Sequence, residues 1–159
     1  MNQTQLIEQT YRLALEAQNK GNHPFGALLV MDDNVVLTSK NSVVTDKDIT
    51  QHAELRLISQ ASKQFTKDQL AKASLFTSTE PCAMCSGAIF WSGISQIFYG
   101  CSATKLAEFS GGSFVVPCRE LLKFGKRKID VTGPILEEIG AKIHSSFWTS
   151  INKSKGQYR

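Results

Sequence analysis

Two short stretches hold the residues best suited to chemistry: His52-Ala53-Glu54 and Pro81-Cys82-Ala83-Met84-Cys85. One imidazole and two thiols make a good Zn²⁺ ligand set, because zinc favours tetrahedral nitrogen and sulfur coordination. Three protein ligands leave the fourth position for water, and the metal lowers that water's pKa to about 7. Glu54, close behind His52, can ferry protons without binding the metal.

The spacing has a structural rationale. Cys-x-x-Cys at a helix start puts both sulfurs on one face, near the positive end of the helix dipole. That end also favours thiolate. Pro81 fits just before or at the first turn, where its missing N–H costs nothing. His52 opens a second apolar-periodic run, Ala53, Leu55, Leu57 and Ile58. Two helix N-termini can then converge on one ion. Taken alone, the Cys pair could equally be a redox pair, a structural zinc half-site or two buried thiols. Joined to His-x-Glu, with a strand-like run before each stretch, it points to catalytic zinc. A redox pair would be expected in a thioredoxin-like strand–helix near the N-terminus.

The elements that must position these groups follow from periodicity. Residues 2–20 read as an amphipathic helix with Leu6, Ile7, Leu13, Ala14 and Ala17 on its stripe. Ala27–Met31 and Val35–Ser39 form a hairpin about Asp32-Asp33-Asn34. A polar loop is expected from 41 to 50, a helix from His52 to Lys63, and a weaker helical or loop segment to 73. Ser74–Thr79 is a third strand, Cys82–Trp91 a third helix closed by Gly93, and Gln96–Gly100 a fourth strand. Short helices are expected within 101–112 and near 119–124, a fifth strand at Lys128–Val131, and a final helix from Ile135 to about 151. Ile135, Leu136, Ile139, Ile143 and Phe147 mark its buried side. The alternation implies an α/β fold in which a five-stranded sheet with parallel pairs carries helices on both faces. The motifs then lie where strands feed helix N-termini.

Composition bounds the rest. A chain of 159 residues, 42% hydrophobic, is expected to be one domain spanning 1–159 with a packed core. No apolar run reaches the ~20 residues of a membrane span, and residues 1–20 lack a secretion signal. Cys101 and Cys118 sit among apolar residues and read as free buried thiols, which suits a reducing cytoplasm. The formal charge of +4 permits a polyanionic partner without demanding one. Lys123, Lys126, Arg127 and Lys128 cluster, and Lys153, Lys155 and Arg159 mark the tail. A solvated loop and a frayed terminus are the plainer reading of both.

The chain resembles the cytidine-deaminase-like zinc superfamily, and within it bacterial guanine deaminases and tRNA-specific adenosine deaminases. The resemblance runs over roughly residues 5–150. It is carried by Pro24-Phe25-Gly26-Ala27, Gln51-His52-Ala53-Glu54 and Thr79 through Ala88, and H-x-E…P-C-x-x-C is the zinc-deaminase signature. It implies a three-layer α-β-α architecture with a mixed five-stranded sheet, zinc held by His52, Cys82 and Cys85, and Glu54 as the proton carrier. It also implies hydrolytic loss of ammonia from an amidine carbon, the N–H of Ala53 as a substrate donor, Asn41 as a substrate hydrogen-bonding group, and a homodimer in which the partner completes the pocket.

Phe25 and Trp91 match the guanine deaminase pattern more than the tRNA one, and an indole beside the site could stack on a purine. Core packing explains Trp91 equally well, and a turn role explains Asn41. Two departures stand out. Gly112 occupies a position where guanine deaminases carry an acidic residue that reads the purine's N–H groups, and Gln51 replaces a small residue. Glu108 is near enough in sequence to stand in for the acid. Tyr158 sits where guanine deaminases place a Tyr that closes a neighbouring subunit's site, although a frayed end is the plainer expectation there. The expected substrate is thus a small nucleobase or nucleoside, a guanine-like purine first. The alternatives are wobble-position tRNA adenosine, a related heterocycle such as a triazine or pterin, and a zinc-stabilised binding module without turnover.

Overall fold

The computed structural model describes residues 1–152. The tail expectations, Tyr158 included, lie outside the described residues. Five strands, β1 (Gly26–Met31), β2 (Asn34–Lys40), β3 (Ser74–Thr79), β4 (Gln96–Cys101) and β5 (Asp130–Thr132), form one sheet in the order β2-β1-β3-β4-β5. β1 is antiparallel to β2 and β3, whereas β3–β4 and β4–β5 are parallel. This is the expected mixed sheet. The β1–β2 hairpin turns through Asp32 and Asp33, both at positive φ (49° and 61°), the hand that matches strand twist.

The helices are α1 (Gln3–Asn19), α2 (Val43–Asp46), α3 (Ala53–Gln64), α4 (Lys67–Leu70), α5 (Ala83–Ser92), α6 (Ala103–Ser110), α7 (Cys118–Leu122) and α8 (Glu137–Asn152). Strand side chains alternate between faces. Leu28 and Phe76 therefore meet Leu6, Ile7 and Tyr11 of α1, with Ile143 of α8 beside them. Leu29, Leu75 and Ile97 point the other way, into a cluster with Leu57 of α3 and Ile89 of α5. Each such fully buried aliphatic contributes about 1.5–3 kcal/mol. The result is three layers, with α1 and α8 on one face of the sheet and α3 and α5 on the other.

Four sequence expectations are corrected. The polar loop contains a helical turn, α2, because the Asn41 side chain accepts from the Val43 N–H at 3.1 Å and starts it. β5 lies two residues later than expected, its register set by Asp130 opposite Gln96 and by the Asp130 N–H donating to Ser95 O at 2.8 Å. The last helix begins at Glu137 rather than Ile135. Ile139, expected on its buried side, is 41% exposed, and the buried residues are Gly140, Ala141, His144 and Trp148. Cys101 and Cys118 are buried and unbridged, as expected.

One glycine is demanded by close approach. A Cβ on Gly26 would lie 2.5 Å from both the Thr10 carbonyl and Leu13 Cβ, so α1 crosses β1 where no side chain fits. Gly26→Ala is expected to lower stability by about 1–3 kcal/mol, the usual cost of overpacking, read as a lower Tm. An unchanged melting curve would mean that α1 moves freely at this crossing.

Candidate metal centre and active site

Two of the three ligand residues are helix N-caps, His52 of α3 and Cys82 of α5, and neither makes a side-chain capping bond; Cys85 lies in the first turn of α5. The two helices, one before β3 and one after it, pack side by side on the same face of the sheet, so their first turns meet. His52 Nδ1 lies 3.6 Å from Cys82 Sγ and 3.7 Å from Cys85 Sγ, and all three ligand atoms fall within 4.8 Å of one another. A tetrahedral ion with Zn–N of about 2.05 Å and Zn–S of about 2.3 Å sets N···S at about 3.6 Å, so the cluster fits zinc. The Cys85 thiol bonded to it, with His52, holds the Cys82 thiol down at about 3, which makes it thiolate at neutral pH. His52 and Cys82 are partly exposed and Cys85 is buried. That leaves one side of the cluster open, as a catalytic rather than a closed structural site requires.

Glu54 is 3% exposed and stands beside the same cluster, with one carboxylate oxygen 3.7 Å from Cys85 Sγ. The other oxygen accepts from the Thr77 hydroxyl at 2.8 Å. Burial pushes the Glu54 carboxyl above the usual range, the Cys82 thiolate adds to that, and His52 and Thr77 oppose it. A buried carboxyl held above its ordinary range is suited to taking and returning a proton.

A cavity of about 450 Å³ opens onto His52, Cys82 and Ala83. Its far wall is Ala103 and Ala107 of α6 and the loop after it, including Gly112 and Phe114. Met84 and Ile49 complete a largely apolar rim. As the first residue of α3, Ala53 presents an N–H that the helix leaves without an internal acceptor.

The other expected contacts divide. Asn41 is buried, but its side-chain oxygen is committed to Val43, the turn role. Phe25 is 4% exposed and packs its ring on His144 at 5.2 Å, in the core rather than on the cavity wall. Trp91 is 77% exposed and edge-on to Phe90, so it is neither core nor, in this chain, part of the cavity. Glu108 faces solvent and pairs with Lys105 at 2.9 Å, because helical rotation turns Ala107 inward and Glu108 out. Gly112 does line the cavity, at φ +57°, with a Cβ position 3.0 Å from Ala107 Cβ. Here the backbone itself favours glycine over an acid.

Three residues escaped the sequence reading. Thr77 anchors Glu54. His144 accepts from Trp148 Nε1 at Nδ1 (3.3 Å), so its Nε2 carries the proton and donates to Thr79 Oγ at 2.8 Å, tying α8 to the end of β3. Glu80, 3% exposed, accepts from two distant backbone N–H groups. The run of polar residues Thr77 to Glu80 in an otherwise buried strand signalled Thr77 and Glu80, and nothing local signalled His144.

Residues 1–101 match the family model for the cytidine and deoxycytidylate deaminase zinc-binding region. The chain is 38% identical over 147 residues to a protein named probable cytosine deaminase from Schizosaccharomyces pombe, covering 89% of this chain and 90% of that one. It is 39% identical over 109 residues to guanine deaminase of Bacillus subtilis, covering 68% and 70%. A solved tRNA:A34 deaminase, which edits A to I at the wobble position of transfer RNA, superposes with a TM-score of 0.74 at 28% identity, covering 88% of this chain and 99% of that one.

Proposed function

We infer the substrate from one premise: this chain belongs to the cytidine and deoxycytidylate deaminase zinc-binding family and is a zinc-dependent deaminase. It acts on a free nucleobase, cytosine ahead of guanine. The observation that carries this is the cavity wall, where no carboxylate appears among the described residues. Guanine brings ring and exocyclic N–H donors that need an acceptor, and a buried donor without one costs about 1–3 kcal/mol. Cytosine brings one ring N–H fewer than guanine and offers N3 and the C2 carbonyl as acceptors. These suit N–H groups such as those of Ala53 and Ala83, which open α3 and α5 and have no acceptor within their helices. The 38% identity to a probable cytosine deaminase supports the same order.

Three of the four cations of the basic cluster have local partners, and the exposed Lys126 is the fourth. Arg127 donates to Ile94 O at 2.8 Å and Phe90 O at 2.6 Å, closing the end of α5. Lys123 pairs with Glu120 and Lys128 with Asp130. Cations already spent on local partners add little phosphate neutralisation.

His52, Cys82 and Cys85 would hold the zinc, which when bound supplies an activated water at neutral pH. Glu54, oriented by Thr77, takes the proton released by the nucleophile and delivers it to the departing amine. The Ala53 N–H orients the base, and the apolar rim excludes bulk water. The reading includes a homodimer, which sedimentation at micromolar concentration tests. No helix among the described residues is long and apolar enough to cross a membrane.

The test is ammonia release from cytosine, guanine, adenine, their nucleosides and a tRNA anticodon stem-loop. Cytosine is expected to lead guanine by about two orders of magnitude in kcat/KM. Faster turnover of guanine, a nucleoside or the stem-loop overturns the order.

A further inference from the structure

The cavity has one wall that owes nothing to the metal ligands. Residues 103 to 115 supply more than half of its lining, from Ala103 at the start of α6 through Gly112 to Val115. Beyond Ser110 the segment crosses to α7 as a loop with exposed side chains, Phe114 among them at 70%, whereas α6 itself is seated by the buried Ala103 and Leu106. Little apolar burial holds the loop. Both ends of the 103–118 segment are held by the same side chain. Glu80 Oε2 accepts from the Ala103 N–H at 2.9 Å, and Glu80 Oε1 accepts from the Cys118 N–H at 2.8 Å. The Glu80 backbone N–H donates to Cys101 O at 2.8 Å, which fixes the root of that side chain on β4. Ala103 opens α6 and Cys118 opens α7, so each N–H is one that its helix leaves without an internal acceptor.

We propose that Glu80 is the positioning residue of the substrate wall: one buried carboxylate bridges the two ends of the 103–118 segment and sets its distance from the metal-bearing helix α5. The segment is thereby referenced to the strand end that also delivers Pro81 and Cys82. Hydrogen bonds to a carboxylate are roughly twice as strong as neutral ones, and both its oxygens are used here. A glutamine at this position keeps one acceptor oxygen but turns an NH₂ against the second N–H. One end of the wall is then released while the ligands and Glu54 stay in place. The proposal rests on the cavity being the substrate site.

Zinc-loaded full-length wild type and Glu80→Gln are compared in three ways: zinc content, kinetics on whichever base the screen identifies, and amide hydrogen exchange. Zinc content is expected to remain one per chain. KM is expected to rise about tenfold with kcat changed by less than about twofold, the pattern of lost uniform binding. Peptides covering 103–118 are expected to exchange about tenfold faster or more, with β3 and β4 unaltered. Unchanged KM, or unchanged exchange across 103–118, overturns the proposal. So does loss of zinc with a parallel fall in kcat, which would place the role of Glu80 at the metal stretch. Should the variant not fold, the wild type alone decides: Ala103 and Cys118 amides are expected to be far slower than those of Ser113 and Phe114, and equal rates overturn the bridge. Should no base be deaminated, the substrate reading fails, while hydrogen exchange still judges the bridge.

Discussion

Glu54→Gln is expected to reduce ammonia release by about 10²–10⁴-fold, the usual contribution of a positioned acid–base group. The substitution changes little else. Glutamine has nearly the same shape, and its carbonyl oxygen can still accept from the Thr77 hydroxyl that now holds Glu54 Oε1. The buried site favours an uncharged side chain, since burial already pushes the carboxyl toward its neutral form. Melting temperature and zinc content are therefore expected to match or exceed the wild type. Three measurements on one preparation decide the matter: zinc by atomic absorption, the fold by circular dichroism, and ammonia by coupled assay. A folded, zinc-loaded variant with activity within threefold of wild type would remove Glu54 from the chemistry. A variant that lost zinc would instead make it a support of the metal site.

Metal removal is the second large effect. Chelation at neutral pH is expected to abolish turnover, and added Zn²⁺ to restore it. Cys82→Ser is expected to lose activity in a way that zinc cannot rescue, because a serine hydroxyl stays protonated where the Cys82 thiol, held at about 3, is thiolate. The fold should survive either treatment. The cluster is flanked by two apolar clusters that share no ligand, and the ligand-bearing helices α3 and α5 bury Leu57 and Ile89 in one of them. Loss of bound zinc should lower Tm, by about 4 kcal/mol of linkage at a free concentration a thousandfold above Kd. Full activity in chelated, demonstrably zinc-free protein would dismiss the metal from the reaction. Global unfolding on chelation would make its role structural.

The local pattern of the chain determined a good deal of this. Apolar runs and helical periodicities located β1 to β4, α1, α3 and α5 to within a residue or two, because each of these buries one face or, for β1 and β3, both. The Pro-Cys-x-x-Cys spacing identified a helix start, and His-x-Glu placed a potential ligand and a carboxylate on another. Short or exposed elements were less legible. β5 is three residues at a sheet edge, and α2 is a single turn whose first N–H groups are taken up by the side chains of Asn41 and the distant Asn22. Neither has enough buried surface to leave a period in the sequence.

Only the tertiary structure decided which groups meet. Periodicity says that a residue faces inward, but not what stands opposite. Helical rotation turns Glu108 to Lys105 and solvent and Ala107 inward, but not until the fold is formed is the space that Ala107 meets seen to be the cavity. Trp91 reads as an apolar helical residue and is 77% exposed, since it lies on the outward side of α5 while Ile89 and Ser92 turn inward. Thr77 and Glu80 look like polar interruptions of a strand. They acquire roles because parallel pairing carries β3 to the place where α3, α5, α6 and α7 all begin. Helix starts leave N–H groups without internal acceptors, and a buried carboxylate satisfies two of them at once. A sequence lists the donors and acceptors, and the packing of distant segments selects the pairs.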